Sequence, residues 1–138
     1  MKTDENCIFC KIIAGIIPAS KVYEDEHVLA FLDISPVNEG HTLVIPKEHI
    51  PEFQDVETAL YIETMQVAQK IAKTLKKTVP SVRVGIAVIG FDVPHTHVHV
   101  IPLLDTHDIT SEKTLKGTKV KPKDEELALL AEKIKKAL

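Results

Sequence analysis

From Asp55 to Lys77, Val56, Leu60, Val67, Ile71 and Leu75 recur at helical spacing with lysines and acids between them. That periodicity predicts an amphipathic helix over about 55–77. Asp55 stands where an N-cap belongs, and Pro80 forbids continuation. Both flanks of this helix read as strands. Before it, "KVYE" and "VLAFL" suggest a strand pair joined around Asp25 and Glu26. "DISPVNEG" then forms a turn, and "HTLVIP" is a third strand ended by Pro46. After it, "SVRVGIAVIG" reads as a buried strand by its β-branched content, with "HTHVHVIP" as its hairpin partner. "DTHDITSEKTLKGTKVKP", residues 105–122, is polar and turn-rich, as a loop would be. "KDEELALLAEKIKKAL" closes the chain as a helix with acids first and lysines last, as the macrodipole favours. The order β-β-β-α-β-β-α predicts an α+β domain. Its sheet is five-stranded and mostly antiparallel, with one long central helix and a C-terminal helix. At 138 residues the chain supports one domain, 1–138, around one core.

Composition narrows the function classes. Net charge is −3, and the seventeen Lys and Arg are scattered rather than gathered in a stripe, which argues against a nucleic acid polymer as partner. No apolar run approaches the roughly 20 residues of a membrane span. No segment has the makeup of a secretory signal, so a cytoplasmic location is expected. The two cysteines, Cys7 and Cys10 in "NCIFCK", read as a metal half-site or redox pair before a disulfide.

"VPHTHVHVIP" places His95, His97 and His99 at every second position. In a strand all three point to one side, with neighbouring rings roughly 7 Å apart. Four readings are open at this point. The first is a solvated strand face. The second is a catalytic metal site with Asp105 or His107 as a further ligand. The third is nucleophilic catalysis by one imidazole. The fourth combines a structural zinc with a nucleophilic histidine.

"HTHVHVI" fits the alternating histidine–apolar signature of the histidine triad nucleotide hydrolases and transferases. "CIFCKIIAGIIPASKVYEDEHVLAFLDISPVNEGHTLVIPKEHI" resembles the N-terminal half of that family, bacterial zinc-binding type. The resemblance spans 7–102; the loop and helix of 103–138 are not diagnostic. It implies that His97 attacks the α-phosphorus of a nucleotide, giving a nucleotidyl-histidine that water cleaves. It implies that His99 meets the phosphate near the leaving group. Cys7, Cys10, His49 and His95 match the ligands of a structural zinc. His41 matches a histidine that hydrogen-bonds toward the triad, and Asp33 a ribose contact, although "DISP" also makes a turn in which Asp caps itself. Phe9, Ile12, Ile17, Phe31 and Ile34 match an apolar slot for the base; His27 and His107 match nothing. The substrate implied is a purine nucleotide conjugate such as a nucleoside 5'-phosphoramidate, acted on by a homodimer. Some members instead cleave dinucleoside polyphosphates or transfer the nucleotidyl group, and a binding module with little activity is the remaining alternative.

The chain departs from the pattern just before the triad. Phe91 and Asp92 in "GIAVIGFDVPH" stand where Gln and a small polar residue usually contact the phosphate, and Leu103 replaces an Arg after Pro102. A carboxylate near an anionic phosphate is unfavourable unless it turns away.

Overall fold

The computed structural model describes residues 1–109 and 121–138. Residues 110–120 of the expected polar loop lie outside that description. Five strands form one sheet: β1 (Lys21–Glu24), β2 (Val28–Leu32), β3 (Thr42–Pro46), β4 (Arg83–Ala87) and β5 (Val98–Leu103). The spatial order is β1-β2-β3-β5-β4, and every pairing is antiparallel. Among the described residues three α-helices accompany it, α1 (Ile8–Ile13), α2 (Thr58–Thr78) and α3 (Asp124–Ala137). No helix is long and apolar enough to cross a membrane, among the described residues.

The period-2 alternation of β2 divides the core. Val28, Ala30 and Leu32 join Val44, Val98 and Val100 on the face that receives α2 and α3 through Val67, Ile71, Leu75, Leu127 and Ile134. Leu29 and Phe31, with Leu43 and Ile45, face the other way and pack on Cys7, Phe9, Cys10 and Ile12 of the α1 region. Both faces are covered, so β2 and β3 are buried at every position. Gly40, at φ +91°, turns the chain into β3 where a Cβ would lie 3.0 Å from Leu75 and 3.3 Å from Pro102.

Four sequence expectations are revised. Helix α2 starts at Thr58 and is capped by Glu57, whose carboxylate accepts from the amides of Ala59 and Leu60. Asp55 instead closes a single 3₁₀ turn, Phe53–Asp55, and so is not the cap. Strand β4 is not buried: it is the last strand of the sheet, paired only with β5, and Ile86 is half exposed. Helix α1 was not expected, because six residues carry too little periodicity to register. Strand β5 begins at Val98, so only His99 of the three alternating histidines lies within it.

Candidate active site and metal centre

The site grows on the α1 face of the sheet. His99 pairs opposite Leu43 across β3 and β5, and its ring lies on that face. His41 lies two residues before Leu43 and so falls on the same face, diagonal to His99. The loop joining β4 to β5, residues 88–97, folds over this surface and carries His95 and His97 inward.

The N-cap of α1 and one residue of its first turn begin a cluster that could hold a metal ion. A Cys-x-x-Cys spacing places both thiols on one side of a helical turn. The buried, unpaired Cys7 and Cys10 meet His49 and His95 there, with all four ligand atoms within 4.8 Å of one another. Cys7 Sγ lies 3.5 Å from His95 Nδ1, and Cys10 Sγ lies 3.4 Å from His49 Nδ1 and 3.7 Å from His95 Nδ1. The two Nδ1 atoms are 3.3 Å apart. A tetrahedral zinc, with Zn–S of about 2.3 Å and Zn–N of about 2.05 Å, requires S···N edges near 3.5 Å and N···N edges near 3.3 Å. The donor set therefore fits such an ion in both chemistry and size. His95 Nε2 donates to the Pro46 carbonyl at 2.8 Å, which leaves the Nδ1 lone pair facing the cluster. Burial pushes the pKa of His95 down to about 4, keeping it neutral as a ligand must be. Asp4 supports the same centre, its N–H 3.5 Å from Cys10 Sγ and its carboxylate 3.7 Å from His49 Nε2.

A second set of rings is linked by protons. Val37 N–H donates to His41 Nδ1 at 3.0 Å, so the His41 proton sits on Nε2. That proton points at His99 Nδ1, 2.9 Å away, which places the His99 proton on Nε2, 3.1 Å from the Ile89 carbonyl. Burial is the main reason that both rings stay neutral; it takes His41 to about 4, against the opposing pull of Asp33, and lowers His99 in the same sense. Asp33 Oδ2 lies 3.6 Å from His41 Nε2, while Oδ1 accepts from the Ser35 amide at 2.8 Å, capping its own turn. These three residues also bring ligand atoms within 4.8 Å. Their 2.9 Å edge is a donor–acceptor distance, and the Val37 amide fixes its direction.

His97 stands between the two sets. Its Nδ1 donates to the His95 carbonyl at 2.6 Å, so Nε2 carries a free lone pair. Its ring centroid lies 5.0 Å from that of His99, closer than the spacing along the strand, and 5.2 Å from that of Phe9. Gly90 covers it; a Cβ there would sit 2.6 Å from His97 Nε2. The amides of Gly90, Phe91, Asp92 and Val93 in this covering loop have no protein acceptor among the described residues.

Of the apolar slot, Phe9, Ile12 and Phe31 pack together, Phe9 edge-on to Phe31 at 5.4 Å, and Ile17 lies against them. Ile34 lies outside that cluster, 67% exposed after Asp33. Asp105 and His107 bond to each other through the His107 amide and join no ligand group, and His27 pairs with Glu63 at the surface. The crevice directly beside His97 holds only 60 Å³, lined by Glu52, Phe53, Ile89, Gly90 and Val93 among others. That suits a phosphate-sized group and not a nucleoside. A larger cleft of 540 Å³ lies behind Asp33 and His41 against α3, away from the free Nε2. Sequence reasoning passed over Val37, Pro46, Ile89 and Gly90. Three of them act through main-chain atoms, which leave no mark in side-chain identity; Gly90 acts through the lack of one.

Comparison with known proteins adds four findings. The HIT domain family matches residues 14–106. "Protein hit" of Bacillus subtilis is 48% identical over 109 residues, 74% of each chain. Adenosine 5'-monophosphoramidase HNT1 of Saccharomyces cerevisiae is 40% identical over 103 residues, 74% of this chain and 65% of its own. Among solved structures, a zinc-bound histidine triad family protein from Mycobacterium smegmatis superposes with a TM-score of 0.77 at 31% identity, covering 95% of this chain and 91% of its own.

Proposed function

This chain belongs to the HIT domain family, and from that premise we propose that it hydrolyses purine nucleoside 5'-phosphoramidates through a nucleotidyl-histidine on His97. The observation that carries this reading is the fixed tautomer of His97. The Nδ1 contact with the His95 carbonyl turns Nε2 toward the loop at Gly90, where an attacking nitrogen is needed. The amides of that loop would hold the phosphate oxygens, so the phosphate does not depend on the side chains at positions 91 and 92. In the first step Nε2 forms a bond to phosphorus and the P–N bond breaks. The bonding pair stays with the amine nitrogen, which takes a proton from water. In the second step water attacks phosphorus, Nε2 recovers its lone pair, and a proton returns to solvent with AMP. The His99 N–H, released from Ile89, would meet the charge that develops on the phosphate. Asp33 would accept from the ribose hydroxyls, and Phe9, Ile12, Ile17 and Phe31 would take the base, with Ile34 at its exposed edge.

Cys7, Cys10, His49 and His95 would hold a structural zinc, which would tie the N-terminal turn to the loop that carries His97. Thiolate ligands of this kind suit the reducing cytoplasm. The outer edge of β4, unpaired among the described residues and with Ile86 exposed beside Val82 and Val88, supports a homodimer built on that strand. Ile86→Lys should then convert the dimer to a monomer in sedimentation analysis; a wild-type protein already monomeric at high concentration would exclude this association.

The direct test is incubation with the unsubstituted phosphoramidate of AMP. His97→Ala should release AMP at least about a thousandfold more slowly, as removal of a covalent nucleophile does. Mass spectrometry of the quenched wild-type enzyme should find the nucleotidyl group on His97. Wild-type rates in the variant, or a label on another residue, would overturn the mechanism.

A further inference from the structure

Two buried polar side chains take no part in the chemistry proposed above: Asn38, just before β3, and Asp108, just after β5. Burying an amide and a carboxylate is costly unless hydrogen bonds replace their water. Here they do. Asn38 Nδ2 donates to the Pro102 carbonyl at 2.9 Å and to Asp108 Oδ2 at 2.8 Å. The same Asp108 oxygen accepts from the Leu104 and Asp105 amides at 2.9 and 3.0 Å, which folds the chain leaving β5 back toward the sheet. Asp108 lies outside the residues 14–106 that match the HIT domain family.

What this clamp holds is the turn that orients His41. The His41 amide donates to the Asn38 carbonyl at 3.1 Å, closing a turn over 38–41. Gly40, at φ +91°, takes the third place of that turn, where a type II turn favours glycine. Val37, one residue ahead, donates its N–H to His41 Nδ1 at 3.0 Å. The Asn38 side chain then pins the whole turn to Pro102, in the same strand as His99. The consequence reaches His99. With Nδ1 of His41 filled, its proton sits on Nε2 and faces His99 Nδ1 at 2.9 Å. If the turn shifts and the Val37 amide leaves, the His41 proton is free to move to Nδ1. Nε2 of His41 then accepts, and His99 bonds to it only by carrying its own proton on Nδ1.

We infer that Asp108, acting through Asn38, is a positioning residue that keeps the His99 proton on Nε2. It works on the turn and not on the rings, and it takes no part in bond making or breaking. Its value to catalysis rests on the phosphoramidase reading above, in which the His99 N–H meets the phosphate. Where the proton sits does not rest on that reading. A purely structural anchor, tying the chain after β5 to the sheet, would leave both tautomers unchanged when it is cut.

Long-range nitrogen–proton correlation spectra of the full chain, labelled in its histidine rings, report which nitrogen carries each proton. The wild type should show His41 and His99 protonated on Nε2. Asp108→Ala should give a mixture of both tautomers at His99, and Asn38→Ala, which cuts the clamp at its other end, should do the same. Asp108→Asn keeps an oxygen acceptor and should restore the wild-type pattern. With the unsubstituted phosphoramidate of AMP, Asp108→Ala should lower kcat roughly tenfold at unchanged KM, and Asp108→Asn should recover it. A wild-type spectrum with either proton on Nδ1 would overturn the inference, as would a folded Asp108→Ala in which His99 stays on Nε2. Two alanine variants that both fail to fold would make the clamp a structural anchor alone and overturn it equally. The expected tautomers in a protein that releases no AMP would leave the inference standing and overturn the reaction instead.

Discussion

The molecule holds two groups of imidazoles only a few residues apart, and they are built to opposite ends. In the Cys7–Cys10–His49–His95 cluster four of the ligand contacts span 3.3–3.7 Å, and all the ligand atoms lie within 4.8 Å of one another. In the His41–His99 pair the two nitrogens approach to 2.9 Å. The difference comes from what occupies the outer nitrogen of each ring. The Pro46 carbonyl takes the His95 proton and leaves a lone pair facing other lone pairs, an arrangement that a cation relieves. The Val37 amide fills the His41 lone pair and leaves a proton facing a lone pair, an arrangement complete without any ion. Backbone partners outside the site thus decide whether neighbouring histidines bind a metal or one another.

The largest effect that tests this contrast is removal of one metal ligand. Structural zinc sites contribute an apparent 10–16 kcal/mol, so loss of one ligand in four should cost about 3–4 kcal/mol, several hundredfold in affinity. Competition of Cys10→Ala against a chelator measures this, and affinity equal to the wild type would remove the cluster from the account. A second, slightly smaller effect is acid sensitivity from His41. Its pKa is about 4 when folded and about 6.5 when unfolded, so the unfolded chain binds more protons between those values. Stability should therefore fall as pH drops from 6.5 toward 4, by up to about 3 kcal/mol from this ring. Denaturant melts of wild type and His41→Gln, subtracted at each pH, isolate the contribution; a flat difference curve would contradict it. The smallest effect separates the two groups. His41→Ala should lower kcat by roughly 10- to 100-fold through a misaligned His99, while metal content stays as in the wild type. Loss of metal in that variant would show that the two groups are coupled.

The sheet and the long helix were legible because their signals are local. Val67, Ile71 and Leu75 declare a helical period, and "VLAFL" declares a buried strand. The burial of β4 was misread because β-branched residues mark a strand without saying whether a neighbour lies on both sides; Ile86 has a partner on one side only. The four-residue ligand set came from resemblance to the family; the cysteine spacing alone announced only a half-site or a redox pair. The direction of each proton did not come from sequence, since it depends on Val37, Pro46, Ile89 and His95 offering main-chain atoms that every residue possesses. Glu57 replaced Asp55 as the cap because a 3₁₀ turn spends the residues before it.

The contact between Gly90 and His97 has a consequence for how such a protein can change. Any single-base change of a glycine codon that encodes another residue adds at least a Cβ, and at this position there is no room for one. Selection would therefore hold residue 90 still. One position later the side chain stands in solvent, and most replacements there would leave the nucleophile where it is. Neighbouring positions of one short loop thus stand under opposite constraints, one closed to change and the next open to it.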